Sequence, residues 1–212
     1  MIEVKNLTKK FGATISLDNV SVNFNKNDYI ALMGANGAGK TTLIRSILGY
    51  YHPDEGKVLI NGLDPIKQRM EVLKDISFVP QLPPPIKLSI AELMQYISVS
   101  SGVDKELISH YANEMKLDIT ANMNKSFFKL SGGMKQKLLI AISLAKKSSI
   151  IIYDEPTANL DPKARDDFYR LLKQNEDDKV LLFVTHRLEE VEKIVNRQIY
   201  MDMGKIVSDD II

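Results

Sequence analysis

Gly34, Gly39, Lys40 and Thr41 stand in the spacing G-x-x-x-x-G-K-[ST] within the stretch GANGAGKT. Small residues there let successive backbone N–H groups turn inward around an anion, and a following helix adds its positive end. Lys40 can reach terminal phosphates as a point charge, and the Thr41 hydroxyl can ligate Mg²⁺. The context agrees. The apolar segment YIALM (29–33) precedes the loop, and TLIRSIL (42–48), with helical spacing, follows it. The chemistry supported is binding of a nucleoside triphosphate. By itself the pattern leaves kinases, GTPases, nucleic-acid motors and transport ATPases open.

A second group lies at strand ends. Asp154 and Glu155 follow the apolar run IIIY. In a parallel sheet, strand ends form the ligand crevice. Asp154 can hold Mg²⁺ through water, and Glu155 can accept a hydrogen bond from an attacking water and aim it at a phosphate. A solvated strand end with two surface carboxylates is the plain alternative. His186 ends the next apolar strand, LLFVTH, and a neutral imidazole there could bond a γ-phosphate. Gln81 follows ISFVP, and its amide could meet both metal and water. Glutamine is common in loops, so this is the weaker case.

The third group is LSGGMKQKLLIAISLAKK, beginning at Leu130. Ser131 is a good N-cap, Gly132 and Gly133 leave the helix start open, and Lys146 and Lys147 suit its C-terminal end. This could be a well-capped amphipathic helix and nothing more. It is also a second anion site, with free N–H groups, a hydroxyl and a helix dipole.

LSGGMKQ resembles the signature motif of ATP-binding cassette (ABC) ATPases, and the other motifs agree in order along nearly the whole chain. GANGAGKTT resembles Walker A, which adds Asn36, Gly37, Ala38 and Thr42 to the expected nucleotide contacts. IIIYDEP resembles Walker B with its catalytic glutamate, Gln81 the Q-loop, ANLD (158–161) the D-loop and His186 the switch histidine. Phe11 falls where the family has an aromatic that stacks on adenine; a core residue of the first hairpin is the other reading. Met134 departs from the commonest signature and resembles exporter-type ATPases. The resemblance implies Mg²⁺ and ATP as ligands. Glu155, His186, Gln81 and Lys40 would be catalytic, with Thr41, Gln81 and Asp154 on the metal. It also implies a head-to-tail pair, as homodimer or with another ABC subunit. Each ATP would then lie between one chain's Walker A and the other's Ser131, Gly132 and Gly133. A separate transmembrane permease would dock on the helical insert and the Gln81–Pro85 connector.

These residues need strands and helices to carry them. Val20–Phe24 alternates with period two and, with Ile2–Val4, predicts an antiparallel sheet at the N-terminus. The apolar runs at 29–33, 150–153 and 180–185 predict strands buried on both faces. Ser89 with Glu92 is a capping box, Asp104 caps a second helix, and Asp161-Pro162 starts a third. RLEEVEKIV reads as helix, and QIYMDMGKIVSDD as strand, turn, strand. The expected fold is α/β. A RecA-like P-loop core with a mainly parallel sheet carries an N-terminal antiparallel β-subdomain and an inserted α-helical subdomain. The expected division is 1–85 with 149–212 for the core and 86–148 for the helical insert.

Composition narrows the partners. The 28 basic and 27 acidic residues give a net charge of +1, so no global field favours nucleic acid. The interval between Gln81 and Leu130 is about 48 residues without sustained heptads, too short for the coiled coil of chromosome-structural relatives. A small-molecule phosphotransferase would leave the signature unexplained. No cysteine is present, as suits a reducing cytosol. The longest apolar runs fall far short of the ~20 residues that span a bilayer. The ABC resemblance then implies a peripheral place, at the cytoplasmic face of the inner membrane. The alternative role keeps the ABC machine but applies it to maturing an envelope protein rather than to transport.

Overall fold

The computed structural model describes residues 1–175 and 178–212. Strands β1 (Ile2–Phe11) and β2 (Thr14–Phe24) form an antiparallel hairpin that turns at Gly12, with φ 58°. The alternation that predicted β2 is borne out: Val20, Val22 and Phe24 are buried, and Ser21 and Asn23 are exposed. The strand is longer than the periodic segment. Its first residues pair with β1 out to Phe11↔Thr14, where cross-strand pairing rather than hydrophobic patterning holds the chain extended.

Strand β3 (Tyr29–Met33) leads into helix α1 (Lys40–Ile47). Strand β4 (Glu55–Ile60) then pairs antiparallel with the free side of β1, which completes a three-stranded sheet ordered β2-β1-β4. A short helix α2 (Arg69–Lys74) follows, with no side-chain cap. Six residues give too little periodicity to read from sequence. Arg69 donates to the carbonyls of Leu48 and Gly49 at 2.9 and 3.0 Å, contacts that only the fold creates.

Next come β5 (Ile76–Val79), α3 (Ile90–Ser101), α4 (Lys105–Glu114), α5 (Gly132–Ala145) and β6 (Ile150–Asp154). They are followed by α6 (Pro162–Lys173), β7 (Val180–Val184), α7 (Leu188–Val191), β8 (Arg197–Asp202) and β9 (Lys205–Ile211). The second sheet has the order β5-β6-β7-β3-β8-β9. β3 runs parallel to both β7 and β8, and β9 is an antiparallel edge. The sheet is thus mainly parallel, as the buried apolar runs require.

The caps fall where local chemistry put them. Ser89 and Glu92 form the reciprocal capping box of α3, which Gly102 ends in a left-handed turn. Asp104 caps α4, and Asp161 caps α6 ahead of Pro162. The expected helix RLEEVEKIV shrinks to α7, four residues. It has no side-chain cap at Arg187. Further on, Asn196 bonds both Tyr29 N–H and Asn27 carbonyl, which draws the chain back to the sheet.

The chain forms two compact units. The first comprises Met1–Ile76, Ser149–Ile152 and Asp178–Ile212, and the second Ser77–Ser148 and Tyr153–Asp177. In the first, Leu7, Leu17, Phe24, Ile30 and Leu32 have no exposed surface. Burial of each such side chain contributes roughly 1.5–3 kcal/mol. In the second, Phe127, Leu138, Tyr153 and Phe168 are equally enclosed.

Candidate functional site

The phosphate loop occupies the first unit. Gly34 leaves β3 at φ 140°, and a Cβ there would sit 2.1 Å from the Met201 carbonyl oxygen. Gly39 caps α1 at φ 102°, and a Cβ there would lie 2.7 Å from the Ser16 carbonyl oxygen. The loop is therefore enclosed by the β8 end on one side and the start of β2 on the other. Gly34→Ala should lower the unfolding free energy by about 2–4 kcal/mol, from the clash and the disallowed φ together. Chemical denaturation would measure this, and an unchanged midpoint would contradict the enclosure.

Helix α1 offers its N-terminus bare. No side chain caps it, and its first turn carries no acidic residue. Its leading N–H groups and positive dipole end suit an anion. Lys40 curls back, donating from Nζ to the Gly34 and Ala35 carbonyls at 2.6 and 2.9 Å. Asn36, Gly37 and Thr41 are exposed, whereas Ala38 is buried and donates its N–H to Ala35. Thr42 shares a hydrogen bond with Ser16 at 2.7 Å.

His186 follows β7. Thr185 N–H donates to Leu32 O at 3.3 Å, and Leu32 pairs with Val184. The end of β7 therefore lies beside the end of β3, where the phosphate loop begins. Parallel pairing brings exposed His186 to the same sheet edge as Gly34, as the strand reading required. Arg187 Nε lies 3.3 Å from His186 Nε2. Phe11, also in this unit, is 45% exposed and so is not a core residue of its hairpin.

The second unit carries Gln81, Ser131–Gly133, Asp154 and Glu155. Asp154 ends β6, with Tyr153 before it locked in place. The Tyr153 hydroxyl shares a hydrogen bond with Ser143 at 2.9 Å, and its ring meets Phe168 edge-on at 5.1 Å. Burial pushes the Tyr153 hydroxyl pKa well above its ordinary value, against the opposing Ser143 bond, so it stays neutral. Glu155 adopts φ 47°, a left-handed conformation unusual for glutamate. Such strain persists only where surroundings enforce it, and it is concentrated at functional positions. Gln81 is exposed beyond β5.

Ser131 caps α5, its Oγ accepting from Met134 N–H at 3.2 Å. The hydroxyl keeps its own proton to donate. Ser131 and Gly132 are exposed, and the first turn of α5 carries no acidic residue. A Cβ on Gly133 would stand 3.0 Å from the Asn159 carbonyl oxygen, so the signature glycines lie against the ANLD segment. Among the described residues no group of three or more His, Cys, Asp or Glu could hold a metal.

Sequence reasoning missed Ser16 and Gly204, which close on the loop. Gly204 N–H donates to Ala38 O at 3.0 Å. The turn at Met203-Gly204 was legible as a turn, but its seat against the loop was not.

This is the arrangement of a P-loop nucleotide-binding α/β protein. The family model described as "ABC transporter" matches residues 17–158. The chain is 32% identical over 224 residues to the energy-coupling factor transporter ATP-binding protein EcfA2 of Clostridium tetani, covering 98% of this chain and 78% of that protein. It is 31% identical over 222 residues to the phosphate import ATP-binding protein PstB of Thermotoga maritima, covering 98% and 88%. A solved dimeric bacterial ABC transporter cassette superposes with a TM-score of 0.86 at 28% identity, over 100% of this chain and 98% of that one. The same cassette is known in a post-hydrolysis state bound to ADP and Pi, with a TM-score of 0.85. The chain belongs to the ABC transporter family, as its ATP-binding cassette. It is an ABC-type ATPase.

Proposed function

We propose that this cassette powers a membrane transport system as a head-to-tail pair. In that pair, ATP binds the phosphate loop of one copy and the Ser131 helix of the other. The observation that carries this reading is the pair of uncapped or hydroxyl-capped helix starts, at α1 and α5, each free of acidic residues in its first turn. A pair in which each copy gives and receives the same surfaces closes at two. The solved cassette described as dimeric supports it.

Lys40 bonds the β- and γ-phosphates, and backbone N–H groups from Asn36 to Thr42 line the anion. Phe11 stacks on the adenine. Thr41, Asp154 and Gln81 carry hard oxygen ligands of the kind Mg²⁺ takes alongside phosphates. When bound, the ion neutralises phosphate charge. Glu155 aligns the attacking water, and His186 bonds the γ-phosphate. Gly132 and Gly133, with Ser131, close over the phosphate from the partner copy.

No helix among the described residues is long and apolar enough to cross a membrane. The span belongs to a separate transmembrane permease, with the cassette peripheral at the cytoplasmic face. Lys40→Ala should weaken ATP affinity about 10- to 100-fold, the worth of lost charge-assisted bonds. Calorimetry checks this, and an unchanged affinity would contradict the loop assignment. Affinity capture from detergent-solubilised membranes should recover a polytopic partner, and recovery of none would contradict the permease.

A further inference from the structure

Phe11 ends β1 with two neighbours around its ring. Tyr51 meets it edge-on, with centroids 5.1 Å apart and planes at 74°. The Lys9 ammonium lies over the ring, 5.4 Å from its centroid. Both neighbours are themselves held. Lys9 is paired with Asp54 at 3.1 Å, and its side chain is only 14% exposed. Asp54 also accepts Lys10 N–H at 2.6 Å, and this bond, followed by Lys9, keeps its carboxyl below the usual carboxylate range. The Tyr51 hydroxyl accepts from Arg45 Nη1 at 2.8 Å, and the same guanidinium lies 5.8 Å from the Tyr51 ring.

Arg45 belongs to α1, the helix that begins with Lys40. A single rigid element thus holds the phosphate end directly and the ring of Phe11 through Tyr51. Lys9 lies over the ring of Phe11 and Tyr51 packs against it in a T-shaped pair, yet the residue stays 45% exposed. Stacking needs a fixed plane, and a ring at a hairpin end has no fixed plane without such neighbours. A cation on one face leaves the other available to a π-system.

We propose that Tyr51 is a positioning residue for the nucleotide base. Together with Lys9 it fixes the plane of Phe11 so that one face meets the adenine, at a set reach from the phosphates. This rests on the reading of Phe11 as the stacking residue.

The test is calorimetric binding of ATP and of inorganic tripolyphosphate, which lacks a base, to the whole chain. Tyr51→Ala should weaken ATP about 2- to 10-fold, the range expected for loss of an aromatic pair, and leave tripolyphosphate unchanged. Phe11→Ala should also weaken ATP alone, and Phe11→Ala with Tyr51→Ala should be no worse than Phe11→Ala. Tyr51→Leu, which keeps apolar volume without a ring, should repeat the Tyr51→Ala result if that variant folds poorly. Equal loss for both ligands would make Tyr51 merely structural and overturn the proposal. Additive losses, or no loss in either Tyr51 variant while Phe11→Ala weakens ATP, would overturn it and leave the stacking reading standing. An unchanged ATP affinity in Phe11→Ala would remove both.

Discussion

Glu155→Gln should bind ATP with near-normal affinity and turn it over about 10²- to 10⁴-fold more slowly, the usual worth of a positioned general base. The substitution is well matched to the site. Glutamine has the shape of glutamate and meets the same cost at φ 47°, so the backbone penalty cancels and only the carboxylate is lost. On the proposed role of Glu155, loss of the carboxylate leaves the water without the group that draws it into line with the γ-phosphate. A nucleotide that binds but does not leave should hold two copies together. Light scattering after gel filtration with ATP should therefore show a stable dimer for Glu155→Gln and a transient one for the parent. Normal hydrolysis by the variant would remove Glu155 from its assigned role.

Ser131→Arg should cut hydrolysis about 10²- to 10³-fold, the cost of losing a donor aimed at developing charge. ATP affinity of the single chain should change little. That split follows from the proposed pairing. Ser131 is exposed at the start of α5. If it acts on the nucleotide of another copy, its loss harms turnover and pairing, not first binding. Arginine also removes the bond to Met134 N–H, so a modest fall in thermal stability is expected as well. Equal loss of binding and hydrolysis would make the signature helix structural.

The parts legible in sequence were those set by neighbours a few residues away. The glycine–lysine spacing of the loop, the Ser89–Glu92 box and the Asp161-Pro162 start each encode one local geometry, and each formed as read. Strand parallelism followed from apolar runs and put His186 at the edge where Gly34 leaves β3. What failed was set at a distance. Ser16 reaches Thr42 across 26 positions, and Gly204 meets Ala38 from the far end of the chain. Nothing local marks either contact. Phe11 could be read from sequence as core or as site, and its exposure argues against the core. The RLEEVEKIV pattern had helical periodicity but no cap, and the pull of Asn196 on the sheet cut it to one turn.

In the proposed pair each ATP is shared between the phosphate loop of one copy and the signature helix of another. The protein has no native cysteine, so introduced thiols react alone. Two single-cysteine variants, Asn36→Cys and Ser131→Cys, each carrying Glu155→Gln and tags of different mass, would be mixed and treated with a short thiol crosslinker. A mixed product joining Asn36→Cys to Ser131→Cys should form with ATP and not without it. Absence of that product with ATP, or an equal yield without nucleotide, would rule out the shared site.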